Sequence, residues 1–83
     1  FPALGLARRA GEVGGTLPGV LNAANEIAVA AFLEERISFP TIWETVGTVM
    51  DAHQTVEHPD LAAILDADAW AREEARRQLG AIN

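Results

Sequence analysis

The sequence predicts an all-α fold, a small bundle of four main helices and one short helix. Apolar residues recur every three or four positions along most of the chain, which is the spacing of an amphipathic helix, and no segment has the strict alternation of a half-buried strand. The 83 residues have room for one small domain. Helices joined by short connections are the natural way for such a chain to bury its apolar surface.

The first two helices are predicted from apolar spacing and from residues typical of helix ends. Residues 1–13 form the first helix, which stops at the Gly14-Gly15 pair. Pro18 lies in the first turn of the second helix, which is apolar on nearly all sides as far as Leu33. A helix of that kind is buried, so we expect residues 20–33 to form the enclosed centre of the bundle. The positions at helical spacing on the first helix are Leu4, Ala7 and Ala10.

The third helix is predicted to begin at Ser38, which caps it, with Pro40 in its first turn. Gly47 interrupts this helix and suggests the close approach of a neighbouring backbone. The apolar stripe consists of Phe39, Ile42, Val46, Val49, Met50 and His53.

A short helix is predicted at Leu61, Ile64 and Leu65, and Asp66 or Asp68 then caps the last helix. On that last helix Glu73 precedes Arg77 by four residues, a spacing that favours an ion pair. Its inward stripe consists of Ala67, Ala71, Ala75, Leu79 and Ile82.

The charge balance argues against several classes of partner. The chain has 12 acidic and 6 basic residues and a net charge of -6, whereas nucleic acids and anionic membranes attract cationic surfaces. It has no cysteine, which fits a reducing compartment, and no apolar run near the ~20 residues that span a bilayer. We therefore expect a cytoplasmic chain that binds neither nucleic acid nor membrane.

Motifs that resemble catalytic or ligand-binding patterns have simpler structural explanations. His53 and His58 would lie ~140° apart on a helix, too far to share a metal ion. Asp66 and Asp68 are typical of a helix start, and the glycines near residue 14 have neither the lysine of a phosphate loop nor a preceding strand. The sequence thus predicts no catalytic, cofactor-binding or metal-ligating residue in this chain.

One polar face stands out on the second helix. Asn22, Asn25 and Glu26 share a sector of roughly 100° on an otherwise apolar helix. Buried polar groups need partners, so these side chains either cap loops and helix ends, within the domain or across an interface, or approach a ligand site that lies mainly on another domain. Both interpretations are open at this point.

Residues 21–33, with the sequence LNAANEIAVAAFL, resemble a signature segment of the 1-deoxy-D-xylulose 5-phosphate reductoisomerase family. The flanking segments resemble the C-terminal region of that family in the same order. These segments are Phe1-Pro2-Ala3, Leu6-Ala7, Gly15-Thr16, Arg36-Ile37-Ser38-Phe39 with Ile42, and Ile64 to Ala69 with Ala71-Arg72.

The resemblance implies a homodimeric enzyme that converts 1-deoxy-D-xylulose 5-phosphate to 2-C-methyl-D-erythritol 4-phosphate in non-mevalonate isoprenoid biosynthesis. It implies NADPH as reductant and Mg²⁺ or Mn²⁺ as metal, both held by N-terminal and central domains whose motifs this sequence lacks. Residues 1–83 are then expected to be a single C-terminal helical domain, a fragment that is inactive alone and whose partners are the catalytic and NADPH-binding domains.

A second hypothesis treats the chain as a stand-alone acidic helical interaction module that oligomerises through its apolar faces. If the chain is a fragment cut from its neighbours, we expect it to be marginally stable or to self-associate, because it would expose surface meant for another domain.

Overall fold

The computed structural model describes the backbone of residues 2–82 and the side chains of residues 2–80. It contains four helices: α1 (Pro2–Val13), α2 (Leu17–Leu33), α3 (Phe39–Ala52) and α4 (Leu61–Ile82). No strand occurs within residues 2–82, which confirms the all-α class and the four main helices. None of these helices is long and apolar enough to cross a membrane.

The predicted short helix is not a separate element, because Leu61, Ile64 and Leu65 form the first turns of α4. The N-terminal cap of α4 is Asp60, whose Oδ1 accepts the Ala63 N–H at 2.8 Å. The prediction that Asp66 or Asp68 begins the last helix is therefore wrong. No glycine or proline interrupts the chain there, and adding a residue to an existing helix costs less than starting a new one.

Helix α2 lies at the centre of the bundle and contacts all three other helices, most extensively α3 and α4. Its alanines Ala23, Ala24 and Ala28 are fully buried, and their small side chains allow a close approach of the neighbouring helices. The enclosed part is shorter than predicted, since Leu33 is 73% exposed at the end of the helix.

The inward stripe of α4 is confirmed at every position whose side chain is described. Ala67, Ala71, Ala75 and Leu79 are buried, whereas the side chain of Ile82 lies outside the described residues. The predicted pair of Glu73 with Arg77 is wrong. The pairs Glu73–Arg76 and Glu74–Arg77 form instead, each across three residues, because the shorter spacing also places side chains on one helix face.

Helix α1 presents a different face from the one predicted. Ala10 is buried as expected, but Leu4 is 67% exposed and Ala7 is also exposed. Leu6 packs against the core instead, with its Cδ2 atom 3.6 Å from the position that a Cβ would occupy at Gly47. A Cβ at Gly47 would be in ordinary van der Waals contact with Leu6, so the predicted close approach of a neighbouring backbone is not found.

Helix α3 buries its predicted stripe at Ile42, Val46, Val49 and Met50, while Phe39 is 57% exposed. Ser38 occupies the N-terminal cap position with extended backbone angles, as predicted. Its hydroxyl bonds to Thr41 Oγ1 at 2.9 Å and not to a backbone N–H.

Candidate functional site

The polar face of α2 reaches α4 through one of its three residues. Arg72 Nη2 donates to Glu26 Oε2 at 2.6 Å, and Arg72 also binds Asp68, through Nε at 2.9 Å and Nη2 at 3.3 Å. One guanidinium on α4 therefore joins carboxylates from two helices. We call this group of Glu26, Asp68 and Arg72 the arginine clamp.

The arginine clamp keeps its charges paired. The hydrogen bonds that Arg72 donates, first to Asp68 and then to Glu26, raise the pKa of Arg72 further above its ordinary value, so the guanidinium stays charged. The three side chains are between 31% and 55% exposed, so the ion pairs contribute about 0.2–1 kcal/mol each. Both carboxylates are bonded to the same guanidinium, so the arginine clamp joins α2 to α4.

The two asparagines do not converge on Glu26 and Arg72. Asn22 is exposed, whereas the Oδ1 atom of Asn25 is buried and accepts no hydrogen bond from the described part of the chain. The structure thus places the three predicted residues on one face of α2 and links only Glu26 to another helix.

A second polar cluster, which the sequence did not predict, lies where the α1–α2 turn meets the α3–α4 loop. Thr16 is 3% exposed, and its Oγ1 accepts the Val56 N–H at 3.0 Å and lies 2.7 Å from His53 Nε2. The Thr16 N–H in turn donates to the Val56 carbonyl oxygen at 3.1 Å. These three bonds tie the two connections together, and we call the cluster the threonine junction.

His53 is held in the threonine junction by packing as well as by hydrogen bonding. Its ring stacks on Trp70 of α4 with the centroids 5.1 Å apart and the planes tilted by 35°. Burial lowers the pKa of His53 below its ordinary value of 6.5, which favours the neutral imidazole. The histidine predicted to end the α3 stripe is thus a contact between α3, α4 and the α1–α2 turn.

A hydroxyl beside an imidazole is also the arrangement of an activated nucleophile. The Thr16 hydroxyl belongs to a residue that is almost fully buried, and it already accepts the Val56 N–H. The chemistry of the threonine junction is therefore structural. The sequence feature that marks this cluster is the Gly-Gly-Thr segment. The residues that bond to its threonine, His53 and Val56, lie 37 and 40 residues further along the chain.

Two features of the described residues bear on metal and phosphate binding. Within residues 2–80, no three His, Asp or Glu side chains come together as metal ligands. At Gly15 an added Cβ would lie 2.3 Å from the Val56 carbonyl oxygen. The space beside this glycine is therefore filled by the chain's own backbone and does not hold a phosphate.

An apolar groove lies between the N-terminal halves of α1 and α3, and we call it the α1–α3 groove. Its volume is about 940 Å³. It is lined by Pro2, Ala3, Gly5, Leu6, Phe39, Pro40 and Trp43, with Arg9 and Glu44 at its edges.

Comparison with known proteins gives a consistent result. The family model described as the DXP reductoisomerase C-terminal domain matches residues 1–74. The 1-deoxy-D-xylulose 5-phosphate reductoisomerase of Symbiobacterium thermophilum is 59% identical over 78 residues, which are 94% of this chain and 20% of that protein. The enzyme of the same name from Heliobacterium modesticaldum is 54% identical over 80 residues, again 20% of its length.

A solved structure, 1-deoxy-D-xylulose 5-phosphate reductoisomerase from Zymomonas mobilis in complex with NADPH, matches with a TM-score of 0.88 and 40% identity. The match covers 95% of this chain and 21% of that one. This chain therefore spans about a fifth of the length of the curated relatives that it matches. Because the family model covers most of the sequence and the helices superimpose on the solved relative, the chain belongs to the family of DXP reductoisomerase C-terminal domains.

Proposed function

We propose that residues 1–83 are the C-terminal structural domain of an NADPH-dependent 1-deoxy-D-xylulose 5-phosphate reductoisomerase. The observation that carries this proposal is the family match over residues 1–74, together with relatives of the same name that are about five times as long. The whole enzyme would convert 1-deoxy-D-xylulose 5-phosphate to 2-C-methyl-D-erythritol 4-phosphate in isoprenoid biosynthesis.

In this proposal the domain supplies no catalytic group. Two polar clusters are in keeping with this, since Glu26 and Asp68 bind Arg72 and His53 binds the buried Thr16 hydroxyl. NADPH and Mg²⁺ or Mn²⁺ would then be held by the other domains of the same polypeptide. The chain alone would be inactive.

We propose that the face formed by Asn22, Asn25 and Glu26 stabilises packing and does not approach a ligand. The bond from Glu26 to Arg72 supports this interpretation, because it uses the charged member of the face to join α2 to α4. The proposal also includes a homodimeric enzyme and a cytoplasmic location. The absence of cysteine from the sequence is in keeping with that location.

The test is a domain exchange in the Symbiobacterium thermophilum enzyme. Its C-terminal segment is replaced by this chain, and oxidation of NADPH is followed with 1-deoxy-D-xylulose 5-phosphate and Mn²⁺. We expect the hybrid to be active, the enzyme truncated before this segment to lose about a hundredfold in rate through misplaced catalytic groups, and the isolated chain to show no turnover.

Two results would contradict the proposal. Turnover by the isolated chain would place the chemistry in these residues. A truncated enzyme as active as the hybrid would show that the segment gives no support to catalysis, which would favour the interaction-module hypothesis.

A further inference from the structure

We infer that the α1–α3 groove is the docking surface for the part of the reductoisomerase polypeptide that precedes this domain. The occupant is an apolar segment that places a basic side chain beside Glu44. This inference rests on the proposed function and adds to it the surface through which the domain is attached.

The groove exposes more apolar surface than the domain itself can cover. An edge-to-face aromatic row leads into it, with ring centroids 5.7 Å apart for Phe32 and Phe39 and 6.4 Å apart for Phe39 and Trp43. Phe39, in the middle of this row and on the wall of the groove, is 57% exposed. Contiguous exposed apolar surface of this kind marks an interaction site more often than scattered single residues do.

The charges at the edges of the groove define the chemistry of the occupant. Arg9 on one side pairs with Asp51 of α3, with its Nη1 atom 2.8 Å from Oδ1. Glu44 on the other side has no ion-pair partner within residues 2–80. A segment that fits the groove is therefore apolar where it meets Leu6 and Trp43 and basic where it meets Glu44.

Gly5 leaves the wall of the groove open. It lies inside α1, where glycine is a poorer helix former than alanine. A Cβ added at Gly5 would have no atom within 4 Å, so packing inside this domain does not require a glycine there. A segment from outside the domain that comes close to the α1 backbone would account for it.

The position of the groove argues for the preceding polypeptide as its occupant. The matched family model is a C-terminal domain, and the curated relatives have about four fifths of their length outside the match. In such an enzyme the remainder precedes this domain and enters at α1, whose first residue, Pro2, lines the groove. A segment of the same polypeptide docks at a high effective concentration, an advantage that a second copy of the chain does not have.

The experiment compares two glutamine substitutions on α1 in the hybrid enzyme described above. Gly5→Gln places a side chain in the groove, whereas Gly11→Gln places the same side chain on α1 outside the groove. Each glycine has open space around its Cβ position, and each substitution improves helix propensity equally. Amide hydrogen exchange is measured in Phe39–Ala52, the wall that neither substitution alters.

We expect this segment to exchange about tenfold faster in the G5Q hybrid than in the G11Q hybrid, which corresponds to about 1.4 kcal/mol of docking free energy. Exchange within α4 should be the same in both hybrids, since the domain itself stays folded.

Equal exchange of Phe39–Ala52 in the two hybrids would overturn the inference and leave the proposed function in place. Faster exchange of α4 as well in G5Q would also overturn it, because Gly5 would then serve the stability of the domain itself. Dimers of the isolated chain that G5Q disrupts and G11Q does not would assign the groove to a second copy. An unmodified hybrid without activity would overturn the proposed function and this inference together.

Discussion

Gly15 shows how a single residue without a side chain sets the geometry of the threonine junction. Its φ angle of +56° lies in the left-handed region, and the Val56 carbonyl oxygen occupies the place of a side chain. This close approach brings the Val56 N–H to the hydroxyl of Thr16, the next residue. The hydrogen bonds between the two connections therefore depend on glycine at position 15, because no larger side chain than hydrogen fits there.

The substitution Gly15→Ala should destabilise the fold more than Gly14→Ala. Gly14 also has a positive φ of +68° but open space at its Cβ position, so G14A should cost about 1–2 kcal/mol through left-handed strain alone. G15A adds an overpacking cost of about 1–3 kcal/mol against a backbone atom. Urea denaturation of both variants measures the difference, and equal losses would show that the contact with Val56 is easily relaxed.

His53 makes the free energy of unfolding depend on pH in a predictable direction. Its pKa is lowered in the folded state, so below 6.5 the unfolded chain binds more protons than the folded chain does. Stability should therefore fall as the pH drops from 6.5 towards the lowered pKa of His53. The substitution His53→Gln should remove this dependence, as measured by denaturation at a series of pH values.

The control for this experiment is His58→Gln, which removes the other histidine, an exposed residue of the α3–α4 loop. H58Q should keep the pH dependence of the wild type. The hydrogen bond that Arg77 donates lowers the pKa of the Glu74 carboxyl from 4.5. The contribution of this pair to stability is therefore lost at a more acidic pH than the contribution of His53. A pH profile that H53Q leaves unchanged would show that another group is responsible.

At the scale of the helix, the fold depends on small side chains between α2 and its neighbours. Ala24 and Ala28 of α2 are fully buried, and Ala71 and Ala75 of α4 are buried to the same degree. Helices that meet through alanine come closer than helices that meet through leucine, and close packing leaves little space for added atoms. The apolar centre of this bundle is therefore sensitive to enlargement.

Ala24→Leu and Ala28→Leu should each lower the free energy of unfolding by roughly 1–3 kcal/mol, because the added atoms force the neighbouring helices apart. Ala30→Leu makes the same chemical change at an exposed position of α2 and should alter stability by no more than about 0.5 kcal/mol. Thermal unfolding of the three variants provides the measurement. If all three unfold at the same temperature, α2 is not the enclosed helix of the bundle.

The helices could be predicted from the sequence because apolar spacing and residues such as Pro18 are local signals. Spacing identifies a helix face but not whether a neighbour covers it, which is why Leu4 and Phe39 were expected to face inward and are exposed. The start of α4 was misplaced because Asp60, Asp66 and Asp68 are equally good caps. The threonine junction joins residues 37 and 40 positions apart, and no local pattern encodes such a contact.

At the scale of the whole molecule, much of the apolar surface is left uncovered. Leu33, Leu61 and Leu4 are 73%, 70% and 67% exposed, and they lie on three different helices. Leu61 is followed on α4 by Ile64 and Leu65, 46% and 59% exposed, at the spacing of an apolar helix face. Sixteen of the other apolar residues are alanines, each of which buries little surface in a core.

The isolated chain should therefore be marginally stable or self-associate. Typical stabilities of 0.05–0.15 kcal/mol per residue would give about 4–12 kcal/mol for this length, and we expect a value near the lower end. Association that covers exposed leucines favours the folded state by mass action, so the melting temperature should rise with protein concentration. Sedimentation should then show species larger than the 8.8 kDa monomer. A monomer at every concentration, with a high melting temperature that dilution does not change, would mean that the four helices need no neighbour to complete their core.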